Sequence, residues 1–201
     1  AMAAAAALGR LPDAELAGGG PLAAAFRGVG CSSLREAAAW VHGLPYGRNS
    51  DRADPSLVLS ERRGACSTKH ALLAQLAAEL GCAVELRLVF IRLDGSLSPA
   101  VGALLQQRGL EYVPEAHCVL RAPAGLVDVT HPGSDGEPPE VLEEQPLGPG
   151  EIGAAKVARH RAHLAGLLER GEGPVGRCGL DLDGLWAVRE ECIAALASAG
   201  G

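Results

Sequence analysis

Aromatic residues are scarce in this chain, amounting to 3% of 201 residues. Proteins that bind nucleic acid combine stacking aromatic rings with stretches rich in lysine and arginine. No such basic stretch occurs here, and the formal net charge is −6. The sequence therefore predicts no nucleic-acid partner.

Long apolar runs are also missing, since no stretch approaches the roughly 18 uncharged apolar residues of a membrane-spanning helix. The short apolar run at 3–8 has no basic residues before it, and Arg10 and Pro12 follow it at once. This pattern differs from a secretory signal peptide. We therefore expect no signal peptide and no membrane association.

The cysteines show no pairing pattern, and no Cys-x-x-Cys motif occurs. The six are Cys31, Cys66, Cys82, Cys118, Cys178 and Cys192. Scattered cysteines are typical of reduced thiols and argue against a disulfide framework or a structural zinc site. We expect a cytoplasmic protein that needs no metal and no cofactor.

The composition, 48% hydrophobic and 21% charged, is that of a globular protein. At this length we expect a single domain, with two small lobes as the alternative. Within it, the sequence predicts a core at 34–132, an acidic loop rich in proline and glycine at 133–151, and a helical C-terminal extension at 152–201.

Periodicity predicts an α+β core. Apolar spacing and end signals predict helices that begin after Ser33 and at Cys66 and end near Gly43 and Gly81, with further helices at 101–107 and 182–197. Alternation and β-branched residues predict strands at 84–90, 116–121 and 126–130. The last two strands are separated by Pro123-Ala124-Gly125, which indicates a hairpin.

Cys66 is the most informative residue, because it lies where a loop becomes a helix. A thiol there faces the positive end of the helix dipole, which lowers the thiol pKa and favours the thiolate. His117 and Asp128 follow on the two predicted hairpin strands. A thiol nucleophile, an imidazole base and a carboxylate that orients the base are the groups that thiol-based acyl transfer requires.

This assignment depends on which faces of the hairpin the two side chains occupy. Side chains alternate along a strand, so Asp128 shares a face with His117 only if the hairpin loop has an even number of residues or contains a bulge. In that register Val127 and Val129 lie on the opposite, wholly apolar face. The two functional side chains are then diagonal neighbours.

The order Gly64-x-Cys66 at a helix start, then His117 in a strand, then Val127-Asp128-Val129-Thr130, resembles the transglutaminase-like superfamily of the papain-like cysteine fold. The resemblance covers about residues 34–132. It implies a nucleophile helix packed on an antiparallel sheet, and Cys66, His117 and Asp128 as the catalytic residues. The chain departs from the family pattern in two places: a bulky aromatic residue usually follows the histidine closely, but here the run is His117-Cys118-Val119-Leu120, and a proline often follows the aspartate, where this chain has Val129.

Other polar residues near this trio have less specific interpretations. Glu115 is a second candidate to orient the histidine, but its position before the strand predicts a solvated role. Asn49 and Ser50 are candidate oxyanion donors, although turning or capping their loop is favoured for each. His70 lies one helical turn after Cys66, and packing near the site is favoured over metal ligation.

Further along the chain, His160 and His163 lie three residues apart in a predicted basic helix. Arginines flank them, which predicts a solvated face rather than a ligand pair. The sequence thus favours a thiol enzyme that hydrolyses or transfers an amide or acyl group, acting as a peptidase, deamidase or acyltransferase on a peptide, protein or small amide. The alternative is a non-catalytic module on the same fold that binds a peptide or protein.

Overall fold

The computed structural model describes residues 2–199. The helices of these residues are α1 Met2–Leu8, α2 Pro21–Gly28, α3 Leu34–His42, α4 Leu57–Glu61, α5 Cys66–Glu79, α6 Pro99–Gln107, α7 Ala154–Arg170, α8 Gly173–Gly176 and α9 Leu182–Ala199. The strands are β1 Glu85–Leu93, β2 Val113–Ala122, β3 Gly125–Val127 and β4 Val141–Pro146.

The four strands form one antiparallel sheet in the order β3-β2-β1-β4. The expected α+β class is therefore confirmed. β2 and β3 form the expected hairpin, in which Leu120 pairs with Val127 and Ala122 pairs with Gly125. Only two residues, Pro123 and Ala124, connect these strands.

The chain divides into two compact units. The first comprises Ala1–Val89, His117–Pro139 and Glu144–Ala154. The second comprises Phe90–Ala116, Glu140–Glu143 and Ala155–Gly201. All the candidate catalytic residues belong to the first unit.

The helices of the first unit begin and end at the signals that the sequence carries. Ser33 caps α3, because its hydroxyl accepts a hydrogen bond of 3.3 Å from the Glu36 N–H. Gly81 follows the end of α5 with a φ of 68°, a left-handed conformation that glycine adopts without steric cost. The expected helices around 34–43 and 66–80 are therefore confirmed.

Helix α5 is the centre of the first unit, and α2, α3 and α4 all pack against it. Its leucine stripe is fully buried at Leu72, Leu73 and Leu76. At its other end, the Glu79 carboxylate accepts hydrogen bonds of 3.1 and 2.8 Å from the first N–H groups of α2. This contact satisfies donors that have no partner within α2 and attaches the N-terminal segment to α5.

The acidic segment differs from the expectation of a loop, because it contains strand β4. Glu144 of this strand pairs with Arg87 of β1 at 3.2 Å and with Arg121 of β2. The prolines of the segment, which favoured a loop, lie mostly outside the strand. Its position at the edge of the sheet also tolerates residues that a central strand excludes.

The second unit has its own apolar core. It is formed by residues of β1, α6, β2, α7 and α9, among them Leu93, Val101, Leu105, Leu164 and Leu185. The expected helices at 101–107 and 182–197 are confirmed as α6 and α9. Within the described residues, no helix combines the length and apolar character that crossing a membrane requires.

Two predictions for polar residues of the second unit were wrong. Glu115 lies inside β2, is only 8% exposed and forms a two-point ion pair with Arg189, at 2.5 and 2.6 Å. His160 is buried and donates to the Pro114 carbonyl at 2.8 Å, and His163 stacks on Phe90. Glu115 is buried because Arg189 compensates the charge of its carboxylate. His160 and His163 are buried because a helix that covers an apolar surface buries one of its faces, whatever the net charge of the helix.

Candidate active site

Cys66 is the first residue of α5, as the sequence predicted. Ala65 before it has an extended backbone, and its N–H donates to the Thr68 hydroxyl at 3.1 Å, which fixes the start of the helix. The thiol is therefore at the positive end of the helix dipole. Cys66 is partly exposed.

Gly64 has a steric reason for its place two residues before the thiol. A Cβ atom there would lie 2.8 Å from Cγ of Lys69 and 2.9 Å from Cγ2 of Val58. Both distances are shorter than real Cβ contacts allow. Glycine thus lets the loop that precedes Cys66 pass close against the buried side of α5.

His117 lies within β2, whereas Asp128 directly follows β3, which ends at Val127 and is shorter than the strand expected at 126–130. The two-residue connection is even, and continuing the β2–β3 register pairs Asp128 with Val119, which makes His117 its diagonal neighbour. The His117 Nε2 atom lies 2.7 Å from Oδ2 of Asp128. The even-loop condition derived from the sequence is thus fulfilled, and a hydrogen bond joins the two side chains.

Asp128 is held by more than the histidine. Its second oxygen, Oδ1, accepts the Thr130 N–H at 2.9 Å, and its own N–H donates to the Gly136 carbonyl at 2.8 Å. Burial disfavours the carboxylate, but the charge and hydrogen bond of His117 hold the pKa of Asp128 well below its usual range. The residue is therefore an anion at neutral pH.

His117 is placed between two negative groups. Burial by itself opposes its protonation, but the charges of Asp128 and Cys66, together with hydrogen bonds to both side chains, raise the pKa of His117 to about 10. Because Asp128 occupies Nε2, the nitrogen left for the sulfur is Nδ1. The electrostatic effect is mutual, so the imidazolium also favours the thiolate of Cys66.

The two candidate oxyanion donors of the preceding loop are used in bracing that loop. The Asn49 amide donates to Glu61 at 3.1 Å and to the Arg63 carbonyl at 3.0 Å, while its oxygen accepts the Thr68 hydroxyl at 2.7 Å. Ser50 donates its hydroxyl to Glu61 at 2.5 Å. Both residues have the loop role that the sequence favoured.

An exposed ring pair lies beside the trio. Tyr46 stacks on His131 with ring centroids 4.9 Å apart. Tyr46 forms a β-bridge with Gly64, two residues before the thiol, and His131 follows Asp128 by three residues. Neither ring belongs to a local sequence motif, so the sequence alone gives no sign of this pair.

The structure gives His70 a packing role rather than that of a metal ligand. Its Nδ1 is 2.7 Å from the Cys66 carbonyl oxygen, and its Nε2 accepts the Val129 N–H at 2.9 Å. Both ring nitrogens are thus engaged by backbone groups. Among the described residues, no group of three or more His, Cys, Asp or Glu side chains is arranged to hold a metal ion.

The chain matches no protein-family model, and it has no significant match among curated proteins or solved structures. No function can therefore be transferred from a relative, and the site is described by its own geometry.

Proposed function

We propose that this protein is a thiol enzyme that hydrolyses or transfers an amide or acyl group. Cys66 attacks the carbonyl carbon, His117 protonates the leaving group, and Asp128 keeps the imidazole oriented and charged. The observation that carries the proposal is that hydrogen bonds connect the three side chains. Asp128 is hydrogen-bonded to Nε2 of His117, and Cys66 is hydrogen-bonded to the same ring.

The reaction has two balanced halves. The thiolate adds to the carbonyl, the His117 proton passes to the leaving amine or alcohol, and a thioester to Cys66 remains. Water or an acceptor amine then attacks the thioester while His117 takes its proton, which regenerates the thiolate and the imidazolium. The backbone N–H of Cys66, at the helix start, is a natural donor to the oxyanion.

The proposed fold family is the transglutaminase-like branch of the papain-like cysteine fold. Its support is the order of Cys66, His117 and Asp128 in the chain, together with a helix that begins at the thiol and a β-hairpin that has His117 in one strand and Asp128 directly after the other. The alternative of a binding module would gain from a sulfur far from the imidazole. The hydrogen bond between these groups favours the enzyme.

The proposal predicts that iodoacetamide labels Cys66 faster than any other cysteine. Cys82 is the matched control, because it is also partly exposed and lies just beyond the opposite end of α5, away from the positive end of the helix dipole. At pH 7 we expect Cys66 to react at least about tenfold faster than Cys82, because the helix start and the charged His117 ring both favour the thiolate of Cys66.

Peptide mapping by mass spectrometry over a time course gives the six rates. Cys31, Cys118 and Cys192 are buried and should remain unlabelled in the folded protein, so they report any unfolding during the reaction. Equal rates at Cys66, Cys82 and Cys178 would contradict the proposed function.

A further inference from the structure

Two adjacent polar residues of α5, Lys69 and His70, are completely buried. Side chains of this kind are rarely buried unless every polar atom has a partner. Neither residue belongs to the trio of the proposed function. Both contact the backbone of the segment that immediately follows Asp128.

Together these side chains hold the peptide groups on both sides of Val129. His70 accepts its N–H at 2.9 Å, and the Lys69 ammonium lies 3.4 Å from its carbonyl oxygen. Lys69 also donates to the carbonyls of Thr130, at 2.8 Å, and Leu44, at 2.7 Å. The three N–H groups of the ammonium thus face three carbonyl oxygens, which compensates its burial.

The hydrogen bonds also define the tautomer of His70. A carbonyl oxygen can only accept, so the Nδ1 atom facing the Cys66 carbonyl carries the proton. The Nε2 atom accepts from Val129 and carries none. His70 is therefore neutral, and burial, which lowers its pKa, acts in the same direction.

This neutral tautomer affects Asp128. The His70 Nε2 atom lies 3.5 Å from Oδ1 of Asp128, a distance at which a protonated ring would form an ion pair. Since Nε2 has no proton, that ion pair does not form. One oxygen of the Asp128 carboxylate is hydrogen-bonded to the His117 ring, and the other accepts the Thr130 N–H.

We propose that Lys69 and His70 are positioning residues for the thiol chemistry. They attach the backbone at 128–130 to the helix that bears Cys66, and the neutral His70 ring does not compete with His117 for the Asp128 carboxylate. This inference rests on the proposed function. The two catalytic partners of Cys66 depend on a separate hairpin, so the attachment sets the distance between them and the sulfur. Displacements of about 1 Å in such sites reduce rates on the order of a hundredfold.

Two substitutions of His70 separate its two hydrogen bonds. In His70→Gln the side-chain oxygen reaches the position of Nε2 and can still accept the Val129 N–H. In His70→Asn the amide nitrogen replaces Nδ1 towards Cys66, but the side chain is too short to reach Val129. The two variants therefore differ in whether the side chain at position 70 can accept the Val129 N–H.

We expect His70→Asn to slow iodoacetamide labelling of Cys66 at pH 6.5 on the order of tenfold, and His70→Gln to stay within about threefold of wild type. The pH profile of labelling should move towards that of an ordinary thiol only in His70→Asn. A role in packing alone predicts similar losses of stability in both variants and an unchanged profile in the folded fraction.

A second measurement does not require the variants to fold. Nitrogen-15 NMR of the wild-type imidazoles reports the tautomer of each ring, and His70 is expected to be the neutral Nδ1–H form at pH 6 to 8. A charged ring or an Nε2–H tautomer would overturn the proposal.

The outcomes separate the two proposals. If wild-type Cys66 reacts no faster than Cys82, the proposed function and the positioning role both fail. If wild-type Cys66 is fast and folded His70→Asn is equally fast, only the positioning role fails.

Discussion

Replacing His117 by alanine is expected to slow the alkylation of Cys66 at pH 6.5 by about 10- to 100-fold. An ordinary thiol is only ~1% ionised at this pH, whereas a thiolate paired with an imidazolium is mostly ionised. The lower intrinsic nucleophilicity of a low-pKa thiolate reduces the advantage, which gives the lower end of the range.

The measurement is the second-order rate constant for iodoacetamide as a function of pH, in wild type and His117→Ala. The wild-type rate should stay high as the pH falls below 7, while the variant should follow an ordinary thiol with half its maximum near pH 8.5. Cys82 provides an internal rate standard, and the fully buried Cys118 should remain unlabelled if the variant is folded. Identical profiles in the two proteins would contradict the role of His117.

Replacing Asp128 by asparagine is expected to lower the pKa of His117 from about 10 into or below the neutral range. Asp128 supplies the largest effect favouring the imidazolium, and without its charge the burial of the ring acts against protonation. At pH 7, Cys66 and His117 would then no longer form a fully charged thiolate–imidazolium pair. Proton NMR titration of the His117 ring measures this change directly.

The same variant should lose about 3 kcal/mol in its free energy of unfolding at pH 7. Breaking a buried ion pair by removing one partner costs about 3–5 kcal/mol. The lower value applies because asparagine can still accept the Thr130 N–H. Asp135→Asn is the matched control, since Asp135 is exposed and asparagine can keep its turn hydrogen bond to Glu137.

Urea unfolding of the three proteins gives these energies, and Asp135→Asn should differ from wild type by no more than about 0.5 kcal/mol. A His117 pKa that stays near 10 in Asp128→Asn would contradict the account. The charge stabilising that ring would then have to come from another group.

Local signals in the sequence were sufficient for the geometry of the trio. A loop ending in Gly64 placed Cys66 at a helix start, and hairpin parity placed Asp128 on the face of His117. Each inference needed only short-range rules: dipole direction, alternation in a strand and the length of a turn. These rules act within a few residues, so they can be read from the chain.

Partners distant in sequence could not be predicted in this way. Glu115 pairs with Arg189, 74 residues further along the chain, so its burial had no local sign. Lys69 would ordinarily be assigned to the surface, and only carbonyl groups from two other segments make its burial possible. Strand β4 depends likewise on pairing with β1 rather than on its own composition.

The most direct test of the central claim is acylation of the protein by a panel of activated esters and amides, followed by intact-mass spectrometry and peptide mapping. The account predicts one acyl group on wild type, mapped to Cys66 and lost with time to water or an added amine. Cys82→Ala should behave like wild type, and Cys66→Ala should acquire no comparable adduct. Equal acylation and turnover in Cys66→Ala would contradict it.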